Sequence, residues 1–226
     1  MDRNRRFWRQ TSAWTAAATV GLSLLAAPAR ADDPDNRTVQ AQFSPSFIGG
    51  KLQACNLTFN VAHRDRATLN GGMTLLVGTV AVAKADTKTG LVMRLSVVRP
   101  SVNGQPSVQI APAEAGLQDG HRTNASSLAG TRDVATGSRA FVFRADQPTA
   151  AMLSAMVSAS HVTAYYALKA GELASNFEVD LTIAKLDPKG EAIRDTAMPG
   201  RFNACLRDLG GAGASPPPSG QAAPVT

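Results

Sequence analysis

Cysteine is nearly absent from this chain: Cys55 and Cys205 are the only two among 226 residues. They stand too far apart for a C-x-x-C redox pair or a local cluster of metal ligands, which argues against thioredoxin-type and zinc-ribbon chemistry. Histidine is as scarce, with His63, His121 and His161 alone, and the pair that falls on a strand at ligand spacing is His63 with Asp65, two residues on. Two residues of separation put both on one strand face, where they read as a surface pair and not as a metal site. The expected metal and cofactor content is therefore none. There is no P-loop, no G-x-G-x-x-G and no G-x-S-x-G nucleophile elbow, so neither nucleotide binding through those loops nor an elbow-type hydrolase is supported. His63-Arg64-Asp65 copies three residues of a kinase catalytic loop without the rest of that signature, and no catalytic residue is assigned.

What is there begins with an address. Arg3, Arg5, Arg6 and Arg9 precede an uncharged stretch over residues 13–27, and Ala29-Arg30-Ala31 offers a small-x-small cleavage site before Asp32. About fifteen apolar residues fall short of the roughly 20 that span a bilayer, so residues 1–31 are expected to be a cleaved signal peptide with no membrane span left behind. Asn4-Arg5-Arg6-Phe7-Trp8 resembles a bacterial twin-arginine export signal, although Trp8 and Arg9 stand where that motif prefers Phe and an apolar residue. Both the twin-arginine and the general secretory route remain open. Either implies a periplasmic or secreted protein.

The formal charge of +6 points to a nucleic-acid partner only until the signal is set aside. Residues 1–31 hold five of the 23 basic residues and one of the 17 acidic ones, which leaves 18 against 16, a charge of +2. Phosphate affinity needs clustered cations, and none cluster here, so nucleic acid is excluded as a partner.

One domain is expected. Residues 32–42 are polar and acidic, and residues 210–226 consist of small, uncharged and proline-rich sequence, so both ends are expected to be disordered. Between them, residues 43–209 alternate with period two. Cys55, Leu57, Phe59 and Val61 share one strand face; so do Leu91, Met93, Leu95 and Val97, and Phe177, Val179, Leu181 and Ile183. Residues 73–83 are apolar on both faces and predict a central strand, joined to the next through a turn at residues 86–90. Asn103-Gly104 predicts a hairpin at a sheet edge, and Asp187-Pro188-Lys189-Gly190 a type I turn. In residues 161–168, Val162, Ala164 and Tyr166 face inward, which leaves Tyr165 exposed.

Two helices interrupt the strands. Residues 148–158 carry Met152, Leu153, Met156 and Val157 as one stripe, with Asp146 or Thr149 as cap; residues 201–209 carry Phe202, Cys205, Leu206 and Leu209. Cys205 and Cys55 thus both point inward, and in an exported chain they predict a disulfide. Closing so long a loop contributes up to ~5 kcal/mol in the chain-entropy model. The fold class is mainly β: a single antiparallel, sandwich-like β-rich domain with two short helices.

Residues 150–209, with Met152-Leu153 and Met156, the strand at 161–168, Phe177-Glu178-Val179-Asp180-Leu181 and Gly200-Arg201-Phe202-Asn203-Ala204-Cys205-Leu206, are similar in order to the bacterial invasion-associated locus B family. The resemblance implies a secreted, β-rich envelope protein. The chain lacks the closely spaced cysteines that this family carries ahead of its helix, and no functional residue is transferred.

The function these observations favour is a non-enzymatic envelope accessory or binding module acting through a sheet face or edge, with an envelope protein or a small ligand as partner. Two alternatives stand beside it: a small hydrolase assembled around one histidine, and a carrier of a small apolar ligand held between the sheet and the Met152–Met156 helix. Residues 111–138 show neither period and are read as a long loop. Within it, His121 and Arg122 are candidate contact residues, together with Tyr165.

Overall fold

The computed structural model describes residues 35–66, 71–85, 88–100, 106–119 and 122–210. In chain order these form β1 (Asn36–Ile48), β2 (Lys51–Asp65), β3 (Gly72–Ala85), β4 (Lys88–Arg99), β5 (Val108–Ile110), β6 (Glu114–Asp119), β7 (Arg122–Thr123), β8 (Leu128–Ala135), β9 (Ser138–Arg144), α1 (Gln147–Ser158), β10 (His161–Ala167), β11 (Ser175–Asp180), β12 (Ile183–Leu186), β13 (Ala192–Arg194) and α2 (Met198–Gly210). The fold is mainly β, as expected. A seven-stranded antiparallel sheet runs β1-β2-β3-β4-β9-β8, with β5 also on β4. A four-stranded sheet, β11-β10-β6-β7, and the two helices cover one of its faces, and β12 and β13 form a separate hairpin.

Period two decides which face is covered. Cys55, Leu57, Phe59 and Val61 of β2, Leu76 and Val80 of β3, and Leu91 to Val97 at alternate positions of β4 are buried. They meet Leu117 of β6, Val162, Ala164 and Tyr166 of β10, and Phe177 and Val179 of β11 in one continuous core. β3 is central in order, between β2 and β4. Its other face is open, however: Met73 and Val77 are 43% and 40% exposed. Apolar residues on both faces marked a central strand here without a second layer above it.

Several expectations are corrected. Residues 36–42 are not disordered but form the first half of β1. Their polarity serves pairing: the Asn36 carboxamide donates to the Glu178 carbonyl (2.7 Å) and accepts from its N–H (3.2 Å), and Thr38 Oγ1 accepts from the Asp180 N–H (2.8 Å). Side chains thus stand in for a backbone ladder between β1 and β11, a role that composition does not reveal. Residues 111–138 are not one loop; β6, β7, a 3₁₀ turn at Ala125–Ser127 and β8 occupy most of them. Period two fails there because every residue of β8 is exposed. The strand read through Ile183 breaks at Leu181, where Asp180 Oδ1 accepts from both the N–H and the hydroxyl of Thr182 (2.8 and 2.7 Å), and the chain turns into β12. Lys88 to Gly90 belong to β4 and not to a turn, since Ala85 already pairs with Lys88.

Both helices form where expected, α1 starting one residue earlier and α2 three, with α2 running one residue further at its end. Asp146, not Thr149, caps α1 by accepting from the Thr149 N–H at 3.0 Å. α1 ends at Ser158, and Ser160, two residues on, carries φ +61° and bonds its N–H back to the Val157 carbonyl. The Asp187–Gly190 turn closes the β12–β13 hairpin, with Gly190 at φ +84°. Gly210 is the last residue of α2. Residues 1–31, 211–226, Asn103-Gly104 and His121 lie outside the described residues.

Candidate functional site

α2 is fixed to the large sheet by sulfur. Cys55 and Cys205 are bonded, with sulfurs 2.01 Å and Cα atoms 6.0 Å apart. Phe202 packs beside Phe43 of β1, ring centroids 5.6 Å apart, and the Asn203 carboxamide donates to Ser158 of α1 at 3.1 Å. α1 is fixed in turn at its N-terminus. Ser127 Oγ donates to Asp146 Oδ2 at 2.5 Å while Thr149 Oγ1 donates to Ser127 Oγ at 3.2 Å. The Ser127 and Thr149 hydrogen bonds hold the Asp146 carboxyl below its ordinary range.

These fixtures leave the two helices side by side over the ends of β3 and β4, with a cleft of about 360 Å³ between them. Its walls are apolar, supplied by Val82 and Leu91 from the sheet, Ala150 and Leu153 from α1, and Leu206 and Leu209 from α2. Polar groups are confined to a few positions, among them Thr89, Ser154, Asn203 and Arg207. An apolar concavity with few polar groups suits a ligand with a greasy body and a polar or anionic end. Nothing in its lining resembles a nucleophile with a base: there is no histidine or carboxylate among the described lining residues. Met152 and Met156 do not line it. They point into the core, 8% and 3% exposed, so the expected methionine-lined groove is replaced by one on the neighbouring flank of the same helix.

The other polar concentration is buried. Asp65, fully buried at the far end of β2, accepts from Tyr166 Oη (2.7 Å) and from Ser175 Oγ (2.5 Å), while Thr74 Oγ1 donates to the His63 carbonyl (3.1 Å). The His63 ring packs edge-on to Tyr166, centroids 6.1 Å apart, and tilts against Phe177. His63 and Asp65 are therefore not a surface pair. They lie on the inward face of β2, where Tyr166 and Ser175 supply the hydrogen bonds that a buried carboxylate requires. Burial and the Asp65 carboxylate push the Tyr166 phenol far above its ordinary value. A histidine, an aspartate and a serine do gather here, but Ser175 gives its hydroxyl to Asp65, and neither this cleft nor the sheet groove described below is lined by any of them. The cluster fastens β2 to β10 and β11.

Of the candidate contact residues, Tyr165 is half-buried and not exposed. Its ring lies over Gly116, where an added Cβ would come within 2.8 Å of it and within 2.7 Å of Asn124 Oδ1. Burial, with the charge of Glu114, raises the Tyr165 phenol. Arg122 lies in β7, its backbone paired with Asp119 of β6. The structure does not bring Tyr165 into the cleft. What the sequence reading missed was the pairing of two helix flanks, and the one available signal was small residues, Ala150 and Ser154, bordering the α1 stripe. Among the described residues, no group of three or more His, Cys, Asp or Glu could hold a metal ion, and no helix is long and apolar enough to cross a membrane.

Compared with known proteins, the chain matches no family model, no curated protein and no solved structure.

Proposed function

We propose that this is an exported, non-enzymatic binding module of the bacterial envelope, cleaved after Ala31, which takes a small amphiphilic ligand into the cleft between α1 and α2. The observation that carries the reading is the cleft itself: apolar walls, a few polar groups, and a covalent bond holding one wall in place. Arg207 suits an anionic end group. A disulfide persists in an oxidising compartment, which fits the periplasmic or secreted location read from residues 1–31. The order α1, β10, β11, α2 is the order on which the resemblance to the invasion-associated locus B family rests, and membership of that family belongs to this proposal.

Two measurements test it. Intact mass of the exported protein is expected to give a chain starting at Asp32 that takes up alkylating agent only after reduction; an unprocessed chain removes the location. Titration with 1-anilinonaphthalene-8-sulfonate, an anionic apolar fluorophore, is expected to saturate at one site. Ala150→Trp, which fills the cleft from an exposed helix position, is expected to abolish that signal, and Arg207→Glu to weaken it more than it weakens binding of the neutral N-phenyl-1-naphthylamine. Saturable binding untouched by Ala150→Trp would place the ligand elsewhere and sink the reading.

A further inference from the structure

The open face of the seven-stranded sheet is not flat. Side chains that alternate with the buried set project outward from β1 to β4, and the β8–β9 turn rises beside them as a wall, enclosing a groove of about 350 Å³. The wall is held in place. Ser96 Oγ donates to the Gly137 carbonyl at 2.7 Å, and Arg94 Nε donates to Ser138 Oγ at 2.9 Å. Gly137, at φ +71°, lies so close to β5 that an added Cβ would sit 2.5 Å from the Gln109 side chain. Glycine is thus demanded there both by its backbone angle and by the close approach.

The lining has a consistent chemistry. Carboxamides of Gln40, Gln42 and Asn60 and hydroxyls of Thr58 and Thr79 cover it, and Arg94 is the single charged residue among the described lining residues. Val77 adds the apolar part of the lining, and Phe59 and Gly78, whose side-chain positions face the core, contribute backbone to the floor. No carboxylate pairs with Arg94 among the described residues, and its one described side-chain partner is the neutral Ser138. Carboxamides and hydroxyls both donate and accept, and so match vicinal hydroxyl groups, whereas a guanidinium selects a carboxylate. The groove crosses four strands over their side-chain face, so it offers no free backbone ladder to an extended peptide and no deep apolar pocket for a peptide side chain.

We propose that this groove binds an acidic polysaccharide segment, its hydroxyls on the carboxamides and hydroxyls of β1 to β3 and its carboxylate on Arg94. The site is separate from the helix cleft and does not depend on that reading. The protein would then hold an envelope glycan on one face and a small amphiphile on the other.

The test is an amide-shift titration of the ¹⁵N-labelled mature chain with trigalacturonate, maltotriose and a short poly-glutamate peptide. Trigalacturonate is expected to give saturable shifts centred on Thr58, Asn60 and Thr79, with affinity about tenfold above that of neutral maltotriose, the value of one charge-assisted contact. Arg94→Gln is expected to remove that preference. Because Arg94 also holds Ser138, Gln42→Ala, at an exposed position, is the second variant, and it is expected to weaken both sugars while leaving the melting temperature unchanged. Ala150→Trp is expected to leave sugar binding intact, which separates this site from the cleft. Absence of saturable shifts, equal affinity for the two sugars, or occupancy of the groove by poly-glutamate alone would each overturn the proposal.

Discussion

Strand β2 is fastened at both ends, and the two fastenings differ in kind. Cys55, near its start, is bonded to α2; Asp65, its last residue, accepts hydrogen bonds from Tyr166 of β10 and Ser175 of β11. Between them Leu57, Phe59, Val61 and His63 continue the same inward face. The sulfur end secures a helix that borders an open cleft, where apolar burial is incomplete and a covalent tie compensates. The carboxylate end lies in a closed core, where a buried charge is tolerated because hydroxyls from a second sheet meet it. The difference is one of environment: the first fastening exists only under oxidising conditions, whereas the second is indifferent to redox state.

Breaking the sulfur end is expected to cost the most. Cys205→Ser should lose about 4 kcal/mol in chemical denaturation, in the range of natural disulfides closing long loops, and wild type in reductant should fall to a similar value. If reduction leaves the melting curve unmoved, the bond is not stabilising. Asp65→Ala comes next, at about 3 kcal/mol, because it strands the Tyr166 and Ser175 hydroxyls without their acceptor in a dry core. That loss should be the same with and without reductant. Since the ends lie roughly 33 Å apart along an extended strand, the two losses should add in the double variant, and strong non-additivity would mean that the ends communicate.

Between the ends, Gly78 of β3 tests how tightly the middle of β2 is packed. A Cβ there would come within 2.4 Å of the Phe59 ring and 2.9 Å of the Arg94 carbonyl, so Gly78→Ala is expected to cost about 2 kcal/mol by overpacking. Gly90→Ala, which meets nothing nearer than 3.7 Å, is the control and should be close to neutral. The smallest effect concerns the helix cap. Asp146 has its carboxyl lowered by Ser127 and Thr149, so its contribution is present above the ordinary carboxylate pKa and is lost as pH falls through the lowered value. Asp146→Asn should therefore lower stability slightly at neutral pH and flatten the acid limb of a pH–stability profile, so that the variant and wild type converge at low pH.

How much was legible follows from where each signal resides. The inward face of β2, the stripe of α1 and the inward turn of Cys205 repeat at strand or helix period, so periodicity alone placed them, and two inward cysteines in a chain read as exported pointed to each other. Residues 36–42 and β8 carry no such repeat. The first uses Asn36 and Thr38 as substitutes for backbone pairing, and the second is exposed along its whole length. His63 and Asp65 were misplaced for a related reason: their spacing gave the face, but only Tyr166 and Ser175, more than a hundred residues later, make that face habitable for a carboxylate.

By itself, then, the chain's local pattern determined a β-rich domain, its two helices and the orientation of their apolar stripes, because each is written in neighbouring residues, and with two cysteines in the chain only one pairing was available. Tertiary structure alone decided that two helix flanks enclose an apolar cleft and that carboxamides and hydroxyls of the open sheet face gather into a groove around Arg94. Both concavities are made of residues distant in sequence, and no local period records how far apart the packed elements come to rest.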